Sequence, residues 1–177
     1  MLRRRVANIN FKIRVKDETI KSDNPYRWDV LTSHDIFEGK KILLFSLPGA
    51  FTPTCSTFQL PNFEKLYSEF KEKLHINDIY CISVNDAFVM NAWAKNKEIK
   101  NIKMIPDGNG DFTRLMGMLV KKNNLGFGIR SWRYACLVQN WEIINWYEEP
   151  GIEDNCEDDP YSVTNPNYIL KELLNED

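Results

Sequence analysis

The chain alternates strand-like and helix-like segments, and this alternation is the feature that most constrains its fold. Residues 41–47 form an apolar run typical of a buried strand, and an amphipathic stretch at 54–74 follows with apolar side chains from Phe58 onward. The later segments are predicted strands at 78–84 and 103–105, helices at 86–96, 111–116 and 165–175, and a β-hairpin formed by 132–139 and 142–147. This order predicts an α/β fold in which a mixed central sheet carries helices on both faces. Sites in such sheets lie beyond the carboxyl ends of the strands.

Composition and charge narrow the possible functions. The 177 residues suit a single domain over 1–177, with enough chain to build a sizeable core. The formal net charge of −2 implies no strongly basic face, so nucleic acid is not expected as a partner. No apolar run approaches the length needed to span a bilayer, so no membrane insertion is expected.

The first residues, from Met1 to Arg5, look like the start of a targeting peptide, but no apolar segment of the required kind follows them. Residues 6–15 instead alternate between apolar and polar side chains, which favours a strand. We therefore expect a cytoplasmic protein. A trimmed organellar targeting segment is the alternative.

One cysteine lies where the first buried strand is expected to turn into a helix. Cys55 follows the strand at 41–47 through a short turn. Unpaired backbone N–H groups and the positive end of the helix dipole favour a thiolate there, and the thiolate is the reactive form. Thr52 is a good N-cap, Pro53 suits a first helical turn, and Pro61 predicts a kink. The position is equally compatible with an unreactive buried cysteine, because free cysteine is among the most buried residue types.

The other cysteines and the two histidines give no metal-site pattern. Cys81 and Cys136 lie inside apolar strand runs and are expected in the core. The sequence has no C-x-x-C, and His34 and His75 do not accompany cysteines or carboxylates at ligand spacing. No bound metal or cofactor is therefore expected. Without a signal peptide, the thiols are expected to be reduced in the cell.

Four colinear segments resemble one known family. Pro48-x-x-x-Thr52-x-x-Cys55 resembles the peroxiredoxin active-site signature, and the longer segment 46–56 resembles the type-5 branch. Further matches to that branch are SVNDAFVMNAW at 83–93, PDGNG at 106–110 and GFGIRSWRY at 126–134. The resemblance runs from about residue 11 to about residue 174 and is closest to bacterial glutathione- and glutaredoxin-dependent peroxiredoxins. It implies a thioredoxin-like fold, which agrees with the alternation of strands and helices.

The resemblance implies a thiol peroxidase that reduces H2O2 and organic hydroperoxides. The Cys55 thiolate would attack the peroxide and become a sulfenic acid. Thr52 would hydrogen-bond the sulfur or the peroxide, and Pro48 would shape and shield the loop. Arg133 would supply a permanent positive charge that favours the thiolate and the charge developing on peroxide oxygens, with Arg130 as a further supporting residue. Without the resemblance, the alternating strand favours a solvated edge residue at Arg133.

Two routes are open for reducing the Cys55 sulfenic acid. In the one-cysteine route, glutathione attacks Cys55, and a second glutathione or a glutaredoxin releases the enzyme. Residues 131–134 and 159–161 resemble the branch that uses this route. In the other route, Cys156 resolves Cys55 within the chain, as in atypical two-cysteine enzymes that depend on thioredoxin. The carboxylates at 157–159 disfavour a thiolate at Cys156, so the external thiol is preferred.

The resemblance also implies partners and a biological role. A homodimer is expected, packed through apolar loops around Phe51, Phe88 and Val89. Phe51, Phe127 and Trp132 are candidates to line an apolar pocket for bulky hydroperoxides. The implied role is antioxidant defence and cell redox homeostasis. A peroxide sensor that passes its oxidation to a partner protein is the alternative from another functional class.

Overall fold

The computed structural model of the chain describes residues 5–176, so most of the segment that resembles a targeting peptide, residues 1–4, lies outside the described residues. The strands are β1 Asn10–Lys16, β2 Tyr26–Thr32, β3 Lys41–Ser46, β4 Asp78–Ser83, β5 Lys103–Pro106, β6 Leu119–Lys121, β7 Ile129–Ser131, β8 Tyr134–Gln139 and β9 Glu142–Glu148. The α-helices are α1 Ser33–Phe37, α2 Leu60–Leu74, α3 Ala87–Asn96, α4 Asp111–Leu115 and α5 Pro166–Glu176. Cys55–Gln59 forms a π-helical turn and Asn123–Leu125 a 3₁₀ turn. Within residues 5–176, no helix is both long and apolar enough to cross a membrane.

The central sheet is mixed, as predicted. Its five strands lie in the order β5-β4-β3-β8-β9. β3, β4 and β5 are parallel, β8 pairs antiparallel with β3, and β9 pairs antiparallel with β8. Two small antiparallel sheets, β1-β2 and β6-β7, lie outside it. Because parallel strands end at the same edge of a sheet, the loops that follow Ser46, Ser83 and Pro106 meet at one edge.

Both faces of the sheet are buried because the side chains of β3 alternate between two apolar clusters. Leu43 and Phe45 pack in the cluster that includes side chains of α2, α3 and α5. Ile42 and Leu44 pack on the opposite face with side chains of α1, α4 and β1. Phe45 stacks on Phe63 of α2 with ring centroids 3.9 Å apart, and full burial of one such side chain contributes roughly 1.5–3 kcal/mol. The predicted thioredoxin-like α/β fold, with helices on both faces, is confirmed.

The amphipathic stretch after the first buried strand contains a widened turn. In the π-helical turn Cys55–Gln59, the Leu60 N–H donates to the carbonyl of Cys55. Pro61 follows directly; it has no N–H, and its ring would meet the carbonyl four residues earlier in a regular α-helix. The irregularity predicted at Pro61 therefore takes the form of a π-turn just before it. Phe58, expected to face the core, is instead 53% exposed.

The sequence predicts the main elements well but misses the peripheral ones. α3 begins at Ala87 after its N-cap Asp86, whose carboxylate accepts a hydrogen bond from the Val89 N–H at 2.9 Å. The strands β2, β6 and β7 are not predicted. β6 and β7 have only three residues each. β2 was overlooked although Tyr26, Trp28 and Val30 alternate with polar residues, and it is largely exposed. Trp132 and Arg133 are predicted in a hairpin strand. They lie instead in the two-residue connection between β7 and β8.

Candidate active site

The loop that follows β3 places Cys55 near the carboxyl edge of the sheet. Pro48 and Ala50 in this loop are buried, and the Cys55 side chain, which opens the π-helical turn, is fully buried at 0% exposure. Cys55 packs in the same apolar cluster as α2, α3 and α5. A thiolate at this depth has no water around it, so protein charges and hydrogen-bond donors must stabilise it.

Asn85, the second residue after β4, holds the loop from the neighbouring strand. Its side-chain oxygen accepts hydrogen bonds from the Ala50 backbone N–H at 3.0 Å and from the Ser83 hydroxyl at 2.7 Å. Ser56 is fixed from another element, because its hydroxyl accepts a hydrogen bond from the buried indole N–H of Trp93 at 3.0 Å. The loop before Cys55 is thus attached to the end of β4, and the start of the helix is attached to α3.

Thr52 makes a different hydrogen bond from the side-chain cap that the sequence predicts. Its hydroxyl donates to the Gly49 carbonyl at 2.7 Å, within the loop. The helix start is closed by the Thr52 backbone carbonyl, which accepts from the Ser56 N–H at 3.0 Å. Because the hydroxyl proton points to Gly49, the oxygen lone pairs of Thr52 are the part that can meet an incoming O–H group.

Arg133 brings a buried positive charge to the sulfur of Cys55. The Arg133 side chain is 1% exposed, and its Nη1 lies 3.4 Å from Cys55 Sγ. The same Nη1 donates to Gln59 Oε1, while Nε donates to the Pro160 carbonyl at 3.0 Å. Nη2 donates to Asp159 Oδ1 at 2.5 Å. The predicted pairing of Arg133 with Cys55 is therefore present, and three other groups fix the guanidinium plane.

The charges around Arg133 stabilise its protonated form. Burial alone would lower the pKa of Arg133, but the negative charges of the Cys55 thiolate and Asp159 raise it overall. The same attraction acts in the other direction and favours a negative charge on the sulfur of Cys55. The guanidinium also faces the Tyr161 ring, with its carbon 5.6 Å from the ring centroid. The arrangement can hold a thiolate in a water-poor site, which is the requirement for a cysteine nucleophile.

Arg130 lies beside the loop that precedes Cys55. Its Nε donates to the Phe127 carbonyl at 3.1 Å and its Nη1 to the Val84 carbonyl at 3.4 Å. A Cβ on Gly49 would lie only 2.7 Å from Arg130 Nη1, so a larger residue at position 49 would require the end of the Arg130 side chain to move. Burial lowers the pKa of Arg130, and the charge of Cys55 acts in the opposite direction. Arg130 thus reaches the site electrostatically, without a hydrogen bond to Cys55.

Cys156 lies on the other side of the sheet. It packs in the apolar cluster of α1 and α4, whereas Cys55 packs in the cluster of the opposite face. Both thiols are free. The loop around Cys156 is tied to the β6 region, since the Asn155 N–H donates to the Lys121 carbonyl at 2.7 Å and the Lys121 N–H donates to Asp154 at 2.7 Å. The structure therefore does not bring Cys156 to Cys55.

The two strand cysteines are core residues, as predicted. Cys81 in β4 and Cys136 in β8 are both buried. Burial, together with the nearby charge of Cys55, raises the pKa of the Cys81 thiol well above its ordinary value. Across residues 5–176, no group of three or more His, Cys, Asp or Glu side chains is arranged to hold a metal ion.

The proposed aromatic lining is only partly present. Phe51 is 50% exposed and has a φ of 63°, which is unusual for a bulky residue. Phe127 is partly buried, with the Arg130 guanidinium 5.5 Å from its ring centroid. Trp132 is 2% exposed and packs in the cluster opposite Cys55, so it does not line a pocket at this site. The expectation for Trp132 was wrong because the chain leaves the strand at that position.

Sequence reasoning missed four residues that build the site, namely Gln59, Asn85, Glu149 and Asp159. Gln59 had a usable signal, since it lies four residues after Cys55 and so shares a helix face with it. Asn85 follows a predicted strand at its carboxyl end, where site residues are expected. Glu149 had no local signal. Asp159 belongs to the segment 159–161 that resembles the one-cysteine branch, but only tertiary contacts bring it to Arg133.

The comparisons with known proteins agree with this geometry. The sequence model of the Redoxin family matches residues 29–162. A peroxiredoxin of Rhizobium etli is 61% identical over 170 residues, covering 96% of this chain and 94% of its own length. The chain belongs to the peroxiredoxin family. Its peroxidase class follows from this membership, and the residues Pro48, Thr52, Cys55 and Arg133 are its candidate catalytic set.

Solved peroxiredoxin structures share the fold closely. The Plasmodium falciparum antioxidant protein, a 1-Cys peroxiredoxin, has a TM-score of 0.89 and 39% identity, covering 98% of each chain. Reduced Prx3 of Vibrio vulnificus in complex with H2O2 has a TM-score of 0.81 and 30% identity, covering 98% of this chain and 99% of that chain. This peroxiredoxin thus shares both its sequence and its backbone arrangement with relatives of known structure.

Proposed function

We propose that the chain reduces H2O2 and organic hydroperoxides through a Cys55 sulfenic acid, and that an external thiol, glutathione with glutaredoxin, then reduces Cys55 again. The observation that carries the first half is the 3.4 Å contact between Arg133 Nη1 and the buried Cys55 Sγ at a helix start. The biological role proposed for this activity is antioxidant defence and cell redox homeostasis.

In the oxidative step, the Cys55 thiolate attacks one oxygen of the hydroperoxide, forming an S–O bond as the O–O bond breaks. The other oxygen takes a proton and leaves as water or an alcohol, so the sulfur is oxidised by two electrons. Arg133 stabilises the thiolate and the negative charge that develops on the leaving oxygen. The Thr52 hydroxyl, whose proton is held by Gly49, accepts a hydrogen bond from the peroxide O–H.

Pro48 and Arg130 have supporting roles in this proposal. Pro48 is buried in the loop, where it excludes water from the site. Its ring fixes the backbone φ angle and so stiffens the loop before Cys55. Arg130 adds a second positive charge near the loop, held by the carbonyls of Phe127 and Val84. No bound metal or cofactor has a part in the proposed chemistry.

In the reductive step, a glutathione thiolate attacks the Cys55 sulfenic acid, releasing water and forming a mixed disulfide. A second glutathione, or a glutaredoxin, then attacks that disulfide and returns Cys55 to a thiol. The burial of Cys156 on the opposite face of the sheet supports an external thiol. An internal disulfide would require release of the hydrogen bonds that join Asn155 and Asp154 to Lys121.

Two relatives support the parts of the proposal. The Plasmodium falciparum antioxidant protein is a 1-Cys peroxiredoxin, and the Vibrio vulnificus Prx3 structure is a complex with H2O2. We carry the single-cysteine mechanism and the peroxide substrate to this chain as proposals. The alternative with Cys156 as the resolving cysteine would make the enzyme dependent on thioredoxin.

The proposal also includes an assembly and a compartment. Phe51 and Phe88 are each about half exposed, at 50% and 54%, on the side of the molecule that carries the loop before Cys55, and they support packing between two copies of the chain. Localisation in the cytoplasm is proposed because no disulfide joins any two of the cysteines, all of which lie within residues 5–176.

The test is a comparison of Cys55→Ser with Cys156→Ser in peroxide assays coupled to NADPH. One arm contains glutathione, glutathione reductase and glutaredoxin, and the other contains thioredoxin and thioredoxin reductase. We expect Cys55→Ser to lose all turnover and Cys156→Ser to keep wild-type turnover in the glutathione arm. Turnover by Cys55→Ser would contradict the peroxidase mechanism.

Other outcomes separate the reductants and the functional classes. Turnover that occurs only with thioredoxin and disappears in Cys156→Ser would overturn the one-cysteine route. Oxidation of Cys55 in a single round, followed by a stable mixed disulfide with one protein in cell extract, would favour the peroxide sensor.

A further inference from the structure

The guanidinium of Arg133 is shared between two negative groups. Nη1 faces Cys55 Sγ at 3.4 Å, and Nη2 donates to Asp159 Oδ1 at 2.5 Å. The remaining contacts of Arg133, to Gln59 and to the Pro160 carbonyl, are uncharged. Asp159 is therefore the only carboxylate paired with this arginine within residues 5–176. The single positive charge of Arg133 thus interacts with both the Asp159 carboxylate and the sulfur of Cys55.

Asp159 has two opposing effects on Cys55. It fixes one edge of the guanidinium and so holds Nη1 toward the sulfur. Its own negative charge also opposes a second negative charge on Cys55, because like charges at short range disfavour each other. The Asp159 side chain is 47% exposed, so solvent weakens both effects without removing them. Arg133 itself is almost fully buried, at 1% exposure.

A buried carboxylate that the peroxide chemistry does not use binds the segment that follows Asp159. Glu149 is 0% exposed and accepts four hydrogen bonds, from the N–H and hydroxyl groups of Ser162 and Thr164 at 2.7–2.9 Å. The Glu149 N–H donates to the Arg133 carbonyl at 3.2 Å. Glu149 therefore ties the backbone of Arg133 to the segment just after residues 159–161, and those residues contact the Arg133 side chain.

We propose that Asp159 is a positioning residue that limits the share of the Arg133 charge available to the Cys55 thiolate, and that Glu149 is the anchor that holds Asp159 against Arg133. The proposal rests on the proposed function, since Cys55 is taken as the nucleophile. In this proposal, the half-exposed Asp159 carboxylate controls the pH range over which Cys55 is reactive. The positive charge of Arg133 stabilises the Cys55 thiolate, and the negative charge of Asp159 reduces that stabilisation.

Other charged and titratable groups face the same site from the packed elements. Arg130 approaches from β7, and its charge interacts with Cys55. Cys81 in β4 interacts with Cys55 but stays protonated, because burial raises its pKa well above the ordinary value. Tyr161 lies beside Arg133, with a pKa raised mainly by burial. None of these groups loses or gains a proton near neutral pH, so the Asp159 charge is the variable that a single substitution can remove.

The test uses Asp159→Asn, with Asp158→Asn as the matched control. The asparagine keeps an oxygen that can accept from Arg133 Nη2 and removes the charge. Asp158→Asn makes the same charge change one residue away, at an exposed side chain. The ultraviolet absorbance of the Cys55 thiolate is followed against pH without peroxide, taking the difference from Cys55→Ser. We expect the midpoint in Asp159→Asn to move to lower pH by roughly half a unit, with no shift in Asp158→Asn.

The anchor is tested with Glu149→Gln. The amide has only one oxygen, so it can accept hydrogen bonds from fewer of the N–H and hydroxyl groups of Ser162 and Thr164. The segment after residue 161 then becomes less rigid, and Arg133 is held less firmly at Cys55. We expect the thiolate midpoint of this variant to move to higher pH and the rate of alkylation of Cys55 by iodoacetamide at neutral pH to fall several-fold. If Glu149→Gln fails to fold, the Asp159→Asn titration still decides the proposal.

The outcomes separate this proposal from the proposed function. An unchanged midpoint in Asp159→Asn, or equal shifts in Asp159→Asn and Asp158→Asn, would overturn the role of Asp159. A shift to higher pH would show that Asp159 only orients Arg133, which also overturns it. Failure of the proposed function appears elsewhere, as peroxide turnover that survives Cys55→Ser, because the thiolate titration needs no peroxide.

Discussion

At the scale of single residues, the site depends on the planar fork of Arg133. Its donors reach Cys55, Gln59, Asp159 and the Pro160 carbonyl at the same time. A point charge on a flexible chain cannot satisfy all four groups in fixed directions, which is the physical difference between arginine and lysine. The geometry of the guanidinium, as well as its charge, is therefore part of the candidate catalytic set.

Arg133→Lys is expected to lower the rate constant for peroxide reduction by about 100-fold, even though the positive charge is kept. Lysine has a single nitrogen and cannot hold both the sulfur and the neighbouring acceptors. Stopped-flow measurement of peroxide consumption checks this, with the exposed Arg27→Lys as control. A rate within about threefold of wild type would mean that charge alone is sufficient.

At the scale of elements, two loops hold the site in place. The loop before Cys55 is tight around Gly49, beside Arg130, and the segment after β9 is held by Glu149. The contacts of Gly49 and of Glu149 both join residues that are not neighbours in the sequence. A substitution in either loop is therefore expected to change the free energy of unfolding.

Gly49→Ala is expected to destabilise the protein by about 1 kcal/mol, because the added Cβ would lie 2.7 Å from Arg130 Nη1 and the end of this flexible side chain would have to move. The movement would cost the long Nη1 bond to the Val84 carbonyl, whereas the Nε bond to the Phe127 carbonyl can stay. Urea denaturation measures the change. The loss should be smaller when Gly49→Ala is introduced into Arg130→Ala; an equal loss in both backgrounds would show that Arg130 is not the obstacle.

Glu149 predicts a dependence of stability on pH. Burial alone would raise the pKa of Glu149, but the hydrogen bonds from Ser162 and Thr164 outweigh it and lower the pKa below the ordinary 4.5. A carboxyl with a lowered folded-state pKa contributes stability above its unfolded pKa and loses it as the pH falls through the folded value. Its contribution is therefore full at neutral pH, begins to fall near pH 4.5 and is lost as the pH drops through the lower folded-state pKa.

Urea denaturation of wild type and Glu149→Gln from neutral to acidic pH measures this contribution. We expect a difference of about 2–4 kcal/mol at pH 7 that shrinks below pH 4.5. A difference that stays constant with pH would show that the ionised carboxylate is not the stabilising species. Glu153→Gln, the same substitution at an exposed side chain, serves as the matched control.

At the scale of the whole molecule, exposed apolar side chains indicate where a second copy would pack. Phe88 at the start of α3 is 54% exposed and packs edge-on against Trp28, with ring centroids 5.5 Å apart. Phe51 beside the Cys55 loop is also half exposed. Covering these rings would remove apolar surface from water next to the site, so the proposed homodimer would also shield Cys55.

Phe88→Asp is expected to convert the proposed dimer to a monomer, because a carboxylate at the centre of an apolar contact is costly to desolvate. Sedimentation at micromolar concentration measures the mass. Leu174→Asp is the control, since Leu174 is an exposed apolar residue on α5, at 40% exposure, and is not part of the proposed contact. A wild-type chain that sediments as a monomer, or a Phe88→Asp dimer, would contradict the proposed interface.

Local sequence signals predicted much of this molecule. The alternation of apolar runs and amphipathic stretches specified the order of the central strands and helices, and the residues from Pro48 to Cys55 marked a cysteine at a strand-to-helix turn. These features depend on neighbours in the chain, whose spacing and backbone preferences are readable directly. The peripheral strands β6 and β7 were missed because three residues leave no readable apolar pattern, whereas β2 has an alternating pattern that was overlooked.

Only the tertiary structure decided which charges meet at Cys55. The pairing of Ser46 with Tyr134 places β8 beside β3 and so brings Arg133 to the sulfur, across 78 residues of sequence. The same packing adds Asp159 to the arginine and puts Cys156 on the opposite face of the sheet. By itself, the sequence located the candidate nucleophile Cys55 at a strand-to-helix turn, because that setting is local. The electrostatic partners of Cys55 depended on strand pairing and loop contacts, because charges act through space rather than along the chain.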